Sequence, residues 1–92
     1  MSDTIGERVI EVVARYQKVS PEEISLKTTF DELGMTSLDA LGLIAELEEE
    51  FGTDIPNEDA FRIRDVEQAA ETMRRLVSAS YAGEGEATGQ VG

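Results

Sequence analysis

The chain contains no cysteine, no histidine and no tryptophan, and only two prolines in 92 residues. Without cysteine it can build no disulfide framework, no thiolate zinc site and no cysteine nucleophile. Without histidine it lacks the side chain that titrates near neutrality and serves most often as general base or metal ligand. A self-sufficient hydrolase is a poor fit, because a serine hydroxyl would have no imidazole to activate it. Positive charge is also scarce, with 8 basic side chains against 20 acidic ones and a net charge of −12. Nucleic acid and anionic membrane surfaces would repel such a chain, while partners with basic patches would attract it. No run of about eighteen apolar residues is present, so no membrane insertion is expected. Met1 to Glu7 carry neither a basic nor an apolar leader segment, and a cytoplasmic monomer is the expectation.

What the sequence does have is helical periodicity. Thr4-Ile5-Gly6-Glu7 fits a capping box, and Ile5, Val9, Val12, Val13 and Tyr16 recur on one face of a helix over about 4–17. Ser20-Pro21-Glu22-Glu23 repeats the start signal but promises only a turn. From Ile24 to Leu33 the apolar residues are irregularly spaced, as in a long loop pinned by a few anchors. Gly34 then turns the chain, and Thr36 is suited to cap a second helix over about 37–51, with Asp39 at its third position. Leu38, Leu41, Ile44, Leu47 and Phe51 are read as its buried stripe, supplemented by Leu43, and Gly52 as its stop. Asn57 to Phe61 reads as a short helix. A last helix is expected over 66–77, with Val66, Ala69, Ala70, Met73, Leu76 and Val77 inward and Arg74 and Arg75 in its last turn.

The expectation is an all-α fold, a small four-helix bundle of three longer helices and a short one, with the long loop between the first and second. One domain would occupy residues 1–77. Residues 78–92, glycine-rich and aperiodic, read as a disordered tail. No strand signal or internal repeat is evident.

Ser37 is the first candidate for chemistry. A hydroxyl at the start of a helix sits where free N–H groups and the positive dipole end favour a phosphate, although a serine there also serves simply as part of a cap. The second feature is charge. From Thr28 to Phe61 there are ten acidic residues and no basic one, a pattern that suits either a solvated face or a docking face. No segment has the alternating oxygen ligands of a calcium-binding EF-hand loop, so no metal site is assigned.

The run Glu32-Leu33-Gly34-Met35-Thr36-Ser37-Leu38-Asp39 is similar to the signature of the acyl carrier protein family, and the resemblance extends through Leu47 to Phe51, Asp54-Ile55-Pro56, Ala60, Ile63 and Val66. It implies that Ser37 carries 4′-phosphopantetheine, donated by coenzyme A through a phosphopantetheinyl transferase with Mg²⁺. The thiol of that arm would hold acyl groups as thioesters for fatty-acid, lipid or polyketide enzymes with basic docking patches, and the chain itself would be no enzyme. By the same resemblance, Thr36, Leu38, Asp39, Glu48 and Glu49 would serve partner recognition. Leu41, Ile44, Leu47, Ile55, Ala60 and Ile63 would be core residues that also line the acyl chain. A peptidyl or aminoacyl carrier, and an unmodified acidic protein-binding adaptor, are the alternatives.

Four departures from the family pattern stand out. Thr36 replaces the usual aspartate before the serine. Gly42 replaces a glutamate of the docking helix, exposing backbone to a partner or an acyl chain, or reflecting neutral drift. Phe61, with Arg62 and Arg64, puts an aromatic and two cations where the family is more acidic. The loop before the signature is slightly shorter. Together they suggest a specialised carrier with its own enzymes.

Overall fold

A computed structural model describes residues 4–90, with side chains described as far as Ser78. Helix α1 covers Thr4–Gln17, α2 covers Ser37–Phe51, α3 covers Asn57–Ala60 and α4 covers Val66–Gln90, with a single 3₁₀ turn at Pro21–Glu23. The all-helical expectation holds. Among the described residues, Thr28 and Arg64 flank one departure from it, an isolated antiparallel bridge between Thr29 and Asp65. There the Phe30 N–H donates to the Arg64 carbonyl at 3.0 Å and the Val66 N–H to the Thr28 carbonyl at 3.0 Å.

Helix α1 is the centre of the packing and lies against both α2 and α4. Its apolar face buries Val9, Val12, Val13 and Ala14, with Ile5 and Tyr16 partly buried against the same core. Thr4, read as the cap, is already the first helical residue. The helix closes through Lys18, which takes the left-handed conformation at φ 62°. Beyond it the Val19 N–H reaches back to the Ala14 carbonyl at 3.0 Å, the six-to-one closure of a Schellman end.

Helix α2 buries a stripe rotated from the expected one. Leu43, Ile44 and Leu47 are buried, whereas Leu38 is 77% and Leu41 57% exposed. The reason is geometric. Each step of three residues falls about 60° short of a full turn, so the three steps from Leu38 to Leu47 carry the chain to the opposite face. Gly42 also has a different role from either expected one. A methyl group built there would overlap the Tyr16 hydroxyl and come within 3.1 Å of Tyr16 Cζ. The bare backbone therefore seats a side chain from α1 rather than a partner or an acyl chain.

Helix α4 buries Val66, Ala69, Ala70 and Met73 as expected, but it continues to Gln90, past the expected end at 77. Arg74 and Arg75 are thus mid-helical. Arg75 pairs with Asp59 at 2.8 Å, fastening α3 to α4. Residues 91 and 92 of the expected tail lie outside the described residues.

Candidate functional site

The approach to Ser37 is built by local hydrogen bonds. Thr29 and Glu32 cap each other, the Thr29 N–H donating to Glu32 Oε1 at 3.0 Å and the Glu32 N–H to Thr29 Oγ1 at 3.1 Å. The N–H groups of Leu33 and Met35 both donate to the Phe30 carbonyl, and Gly34 N–H donates to the Asp31 carbonyl at 3.0 Å. Gly34 has φ 70°, in the left-handed region that a residue with a Cβ rarely adopts. The Gln17 side-chain amide donates to the Leu33 carbonyl at 3.0 Å and ties this turn to the end of α1.

Thr36 then caps α2. Its Oγ1 accepts the Asp39 N–H at 3.1 Å, and Asp39 Oδ2 accepts the Thr36 N–H at 3.0 Å. This reciprocal box leaves Ser37 as the first helical residue, exposed. Among the described residues the Ser37 hydroxyl has no hydrogen-bond partner. With no histidine in the chain, what remains is an exposed hydroxyl at the positive end of a helix dipole, with no imidazole to activate it.

Beside Ser37 opens a groove of about 390 Å³ between the first turns of α2, the loop before it and the chain after α3. Its apolar lining includes Phe30, Met35, Ala40, Leu41, Ile44, Ala60, Phe61 and Ile63. Thr36, Ser37, Asp31 and Arg64 supply its polar rim. Of the six residues expected along an acyl chain, Leu41, Ile44, Ala60 and Ile63 are brought together here. Leu47 and Ile55 are not; they lie in the core at 0% and 5% exposure. Phe30, Met35, Ala40 and Phe61 were missed as lining. Their signal was weak, because Phe30 and Met35 come from the loop, where no periodicity points to a face.

The acidic residues divide in a way that their count does not reveal. Asp39 is engaged in the cap, and Glu48 Oε2 accepts the Ile55 N–H at 2.8 Å. Glu50 receives Arg8 at 3.3 Å and Arg15 at 3.5 Å from α1. Glu49 is exposed, and among the described residues it has no such partner. Leu38 stands outward near Ser37 with Leu41 and the 75% exposed Phe61. Among the described residues no acidic cluster is arranged to hold a metal ion, and no helix is long and apolar enough to cross a membrane.

A second, more polar cavity of about 400 Å³ lies between the end of α3 and the first turns of α4, and Arg62 lines it with Asp59 and Arg75. It is separate from Ser37.

The sequence matches a family described as a phosphopantetheine attachment site over residues 7–73. The chain is 41% identical over 75 residues to "Acyl carrier protein, mitochondrial" of Dictyostelium discoideum, covering 82% of this chain and 62% of that relative. It is 38% identical over 68 residues to "Acyl carrier protein 2, mitochondrial" of Arabidopsis thaliana, covering 73% of this chain and 54% of that relative. The chain thus spans less than two thirds of the length of either. Both relatives are mitochondrial, which overturns the expectation of a cytoplasmic protein. That expectation rested on composition and on the first few residues, neither of which reports kinship.

Proposed function

The chain belongs to the phosphopantetheine-attachment family as an acyl carrier, and from that premise we propose that Ser37 is the residue that bears the arm. The observation that carries the assignment is the position of its hydroxyl: exposed, at the first residue of a capped helix, on the rim of an apolar groove. The covalent 4′-phosphopantetheine that this family implies fits such a place. A phosphodiester is favoured by the helix N-terminus, and an acyl chain has apolar wall beside it.

When attached, the arm supplies a thiol that holds acyl groups as thioesters. The chain's own residues do the rest without catalysis. Thr36 and Asp39 hold the first turn of α2 so that the Ser37 hydroxyl faces outward for a phosphopantetheinyl transferase. Leu41, Ile44, Ala60 and Ile63 keep water from an acyl chain laid against them, and each buried CH₂ contributes roughly 0.8 kcal/mol. Acyl-loading and acyl-transferring enzymes dock on the outward face of α2, where Leu38 offers apolar contact. Glu49 and its acidic neighbours steer basic patches toward it, affecting encounter rate and orientation more than affinity. Thr36, lacking the carboxylate usual before the serine, asks for a transferase that does not depend on that charge. Residues 1–77 suffice for all of this in our reading.

Intact-protein mass spectrometry after incubation with coenzyme A, Mg²⁺ and a broad-specificity transferase tests the assignment. The expected result is a single phosphopantetheinyl gain that Ser37→Ala abolishes. No gain in the native sequence, or an equal gain in the variant, refutes it.

A further inference from the structure

Arg64 occupies a position that the attachment of an arm does not by itself require. It lines the groove that also contains Ser37, while Arg62, two residues earlier, lines the separate polar cavity. The backbone of Arg64 is pinned from both sides. Its N–H donates to Gln68 Oε1 at 2.8 Å and its carbonyl accepts the Phe30 N–H at 3.0 Å. The side chain is anchored at its base yet exposed, and among the described residues its guanidinium has no ion-pair or hydrogen-bond partner.

The charge around it sharpens the point. Ten acidic residues and no basic one lie between Thr28 and Phe61. The only other charged residue lining the groove is Asp31. An unpartnered guanidinium lining the same groove as the serine is therefore available to an anion attached there. Its planar fork of donors matches the two non-bridging oxygens of a phosphodiester better than an ammonium would.

We propose that Arg64 is a positioning residue, whose guanidinium pairs with the phosphodiester at Ser37 and biases the arm toward the groove. The inference rests on Ser37 bearing the arm. The N-terminus of α2 favours the phosphate along the helix axis, but it leaves the rest of the arm free to swing away from the protein. A lateral contact from Arg64 selects the groove side. Asp31 opposes the contact by repelling the same anion, so the bias is a partial one.

The absence of cysteine makes the test clean, because the arm's thiol is the only thiol in the holo-protein and takes a maleimide nitroxide at one place. Paramagnetic relaxation of backbone amides is measured at Phe30, Ala40 and Ala60, together with the ³¹P resonance of the phosphodiester. Arg64→Gln is expected to cut the enhancement at those amides about two- to fivefold, the scale of one exposed charge pair, and to move the ³¹P resonance. Arg64→Lys should retain part of both, and Arg62→Gln should change neither. If Arg64→Gln leaves both readouts unchanged, or Arg62→Gln alters them equally, the positioning role is overturned while the carrier assignment stands. Failure of Ser37 to take the arm at all would overturn the carrier assignment first, and this inference with it.

Discussion

The two ends of α2 are built from the same materials and held in opposite ways. At its start, Thr36 and Asp39 satisfy each other's backbone N–H groups, and the remaining ties come one step earlier, where Gln17 holds the Leu33 carbonyl. Ser37, Leu38 and Leu41 all face outward. At its end, Gly52 takes φ 65° and donates to the Glu48 carbonyl at 2.8 Å, and the Glu48 carboxylate reaches across to Ile55. Arg8 donates to the Glu50 carbonyl at 2.9 Å and lies 4.3 Å over the Phe51 ring. The last turn of α2 is itself tied to α1 and to the following turn; the first turn is closed by its own capping box, and its tie to α1 runs through the preceding loop. The capping box uses Thr36 and Asp39 and leaves the Ser37 side chain between them exposed.

The sharpest way to test that contrast is to remove a leucine from each half. Leu47 is fully buried, and Leu47→Ala is expected to cost about 2–5 kcal/mol of unfolding free energy through lost burial and a residual cavity. Leu38→Ala should stay within about 0.5 kcal/mol, as a surface substitution does. Denaturant unfolding of both variants measures the difference. Comparable costs would mean that the start of α2 is packed after all.

Gly42 lies between the two ends and gives a test whose sign is in dispute between two physical effects. Helix propensity alone makes Gly42→Ala stabilising by about 1 kcal/mol. The Tyr16 hydroxyl occupies the space of the added methyl and the ring edge crowds it, and overpacking of that kind costs about 1–3 kcal/mol. The expected net effect is destabilisation, seen as a lower melting temperature. Combining it with Tyr16→Phe, which removes the hydroxyl nearest the methyl, should recover part of the loss. A stabilised single variant would show that Tyr16 moves aside freely.

Gly42 also shows what could be read from residues alone and what could not. The helices, the Thr36 cap and the exposed Ser37 follow from local rules, since a cap involves residues three apart and a glycine stop involves one turn. The phase of the buried stripe on α2 did not follow, because Leu38, Leu41, Ile44 and Leu47 satisfy a spacing rule pairwise while drifting around the helix. Which side chain fills the space above Gly42 depends on how α1 crosses α2, a property of neither segment. Which members of the acidic run are engaged internally was not legible for the same reason. Arg8 and Arg15, which pair with Glu50, are more than thirty residues away in sequence. The groove draws Phe30 and Met35 from a loop without period, so these two were invisible as lining, while Leu41, Ile44, Ala60 and Ile63 were legible through family resemblance.

At the open end, Thr36→Ala removes one acceptor and should cost about 1 kcal/mol, within a range of roughly 0.5–2 kcal/mol for N-cap losses. Its effect should be local. Amide hydrogen exchange at Leu38 and Asp39 should rise more than exchange at Leu47, because the other end keeps its own closures. A uniform rise across α2 would show that the two ends are coupled rather than separately held.

The smallest effect is expected at the tied end. Glu50→Gln leaves the backbone contact from Arg8 intact but removes the charge that faces both Arg8 and Arg15. The Glu50 side chain is 32% exposed, and those of Arg8 and Arg15 are 42% and 59% exposed. Water therefore screens the pairs, and their combined contribution should be about 0.2–1 kcal/mol at low salt. In the parent, salt acts in two directions. It weakens the Arg8 and Arg15 attractions to Glu50, and it also relieves the repulsion among the carboxylates of a chain with net charge −12. The parent protein should therefore melt higher as salt is added. The difference between parent and Glu50→Gln should shrink toward zero at about 1 M, where screening extends only about 3 Å. A difference that persists unchanged at that salt would assign the stabilisation at Glu50 to packing on the Phe51 side rather than to charge.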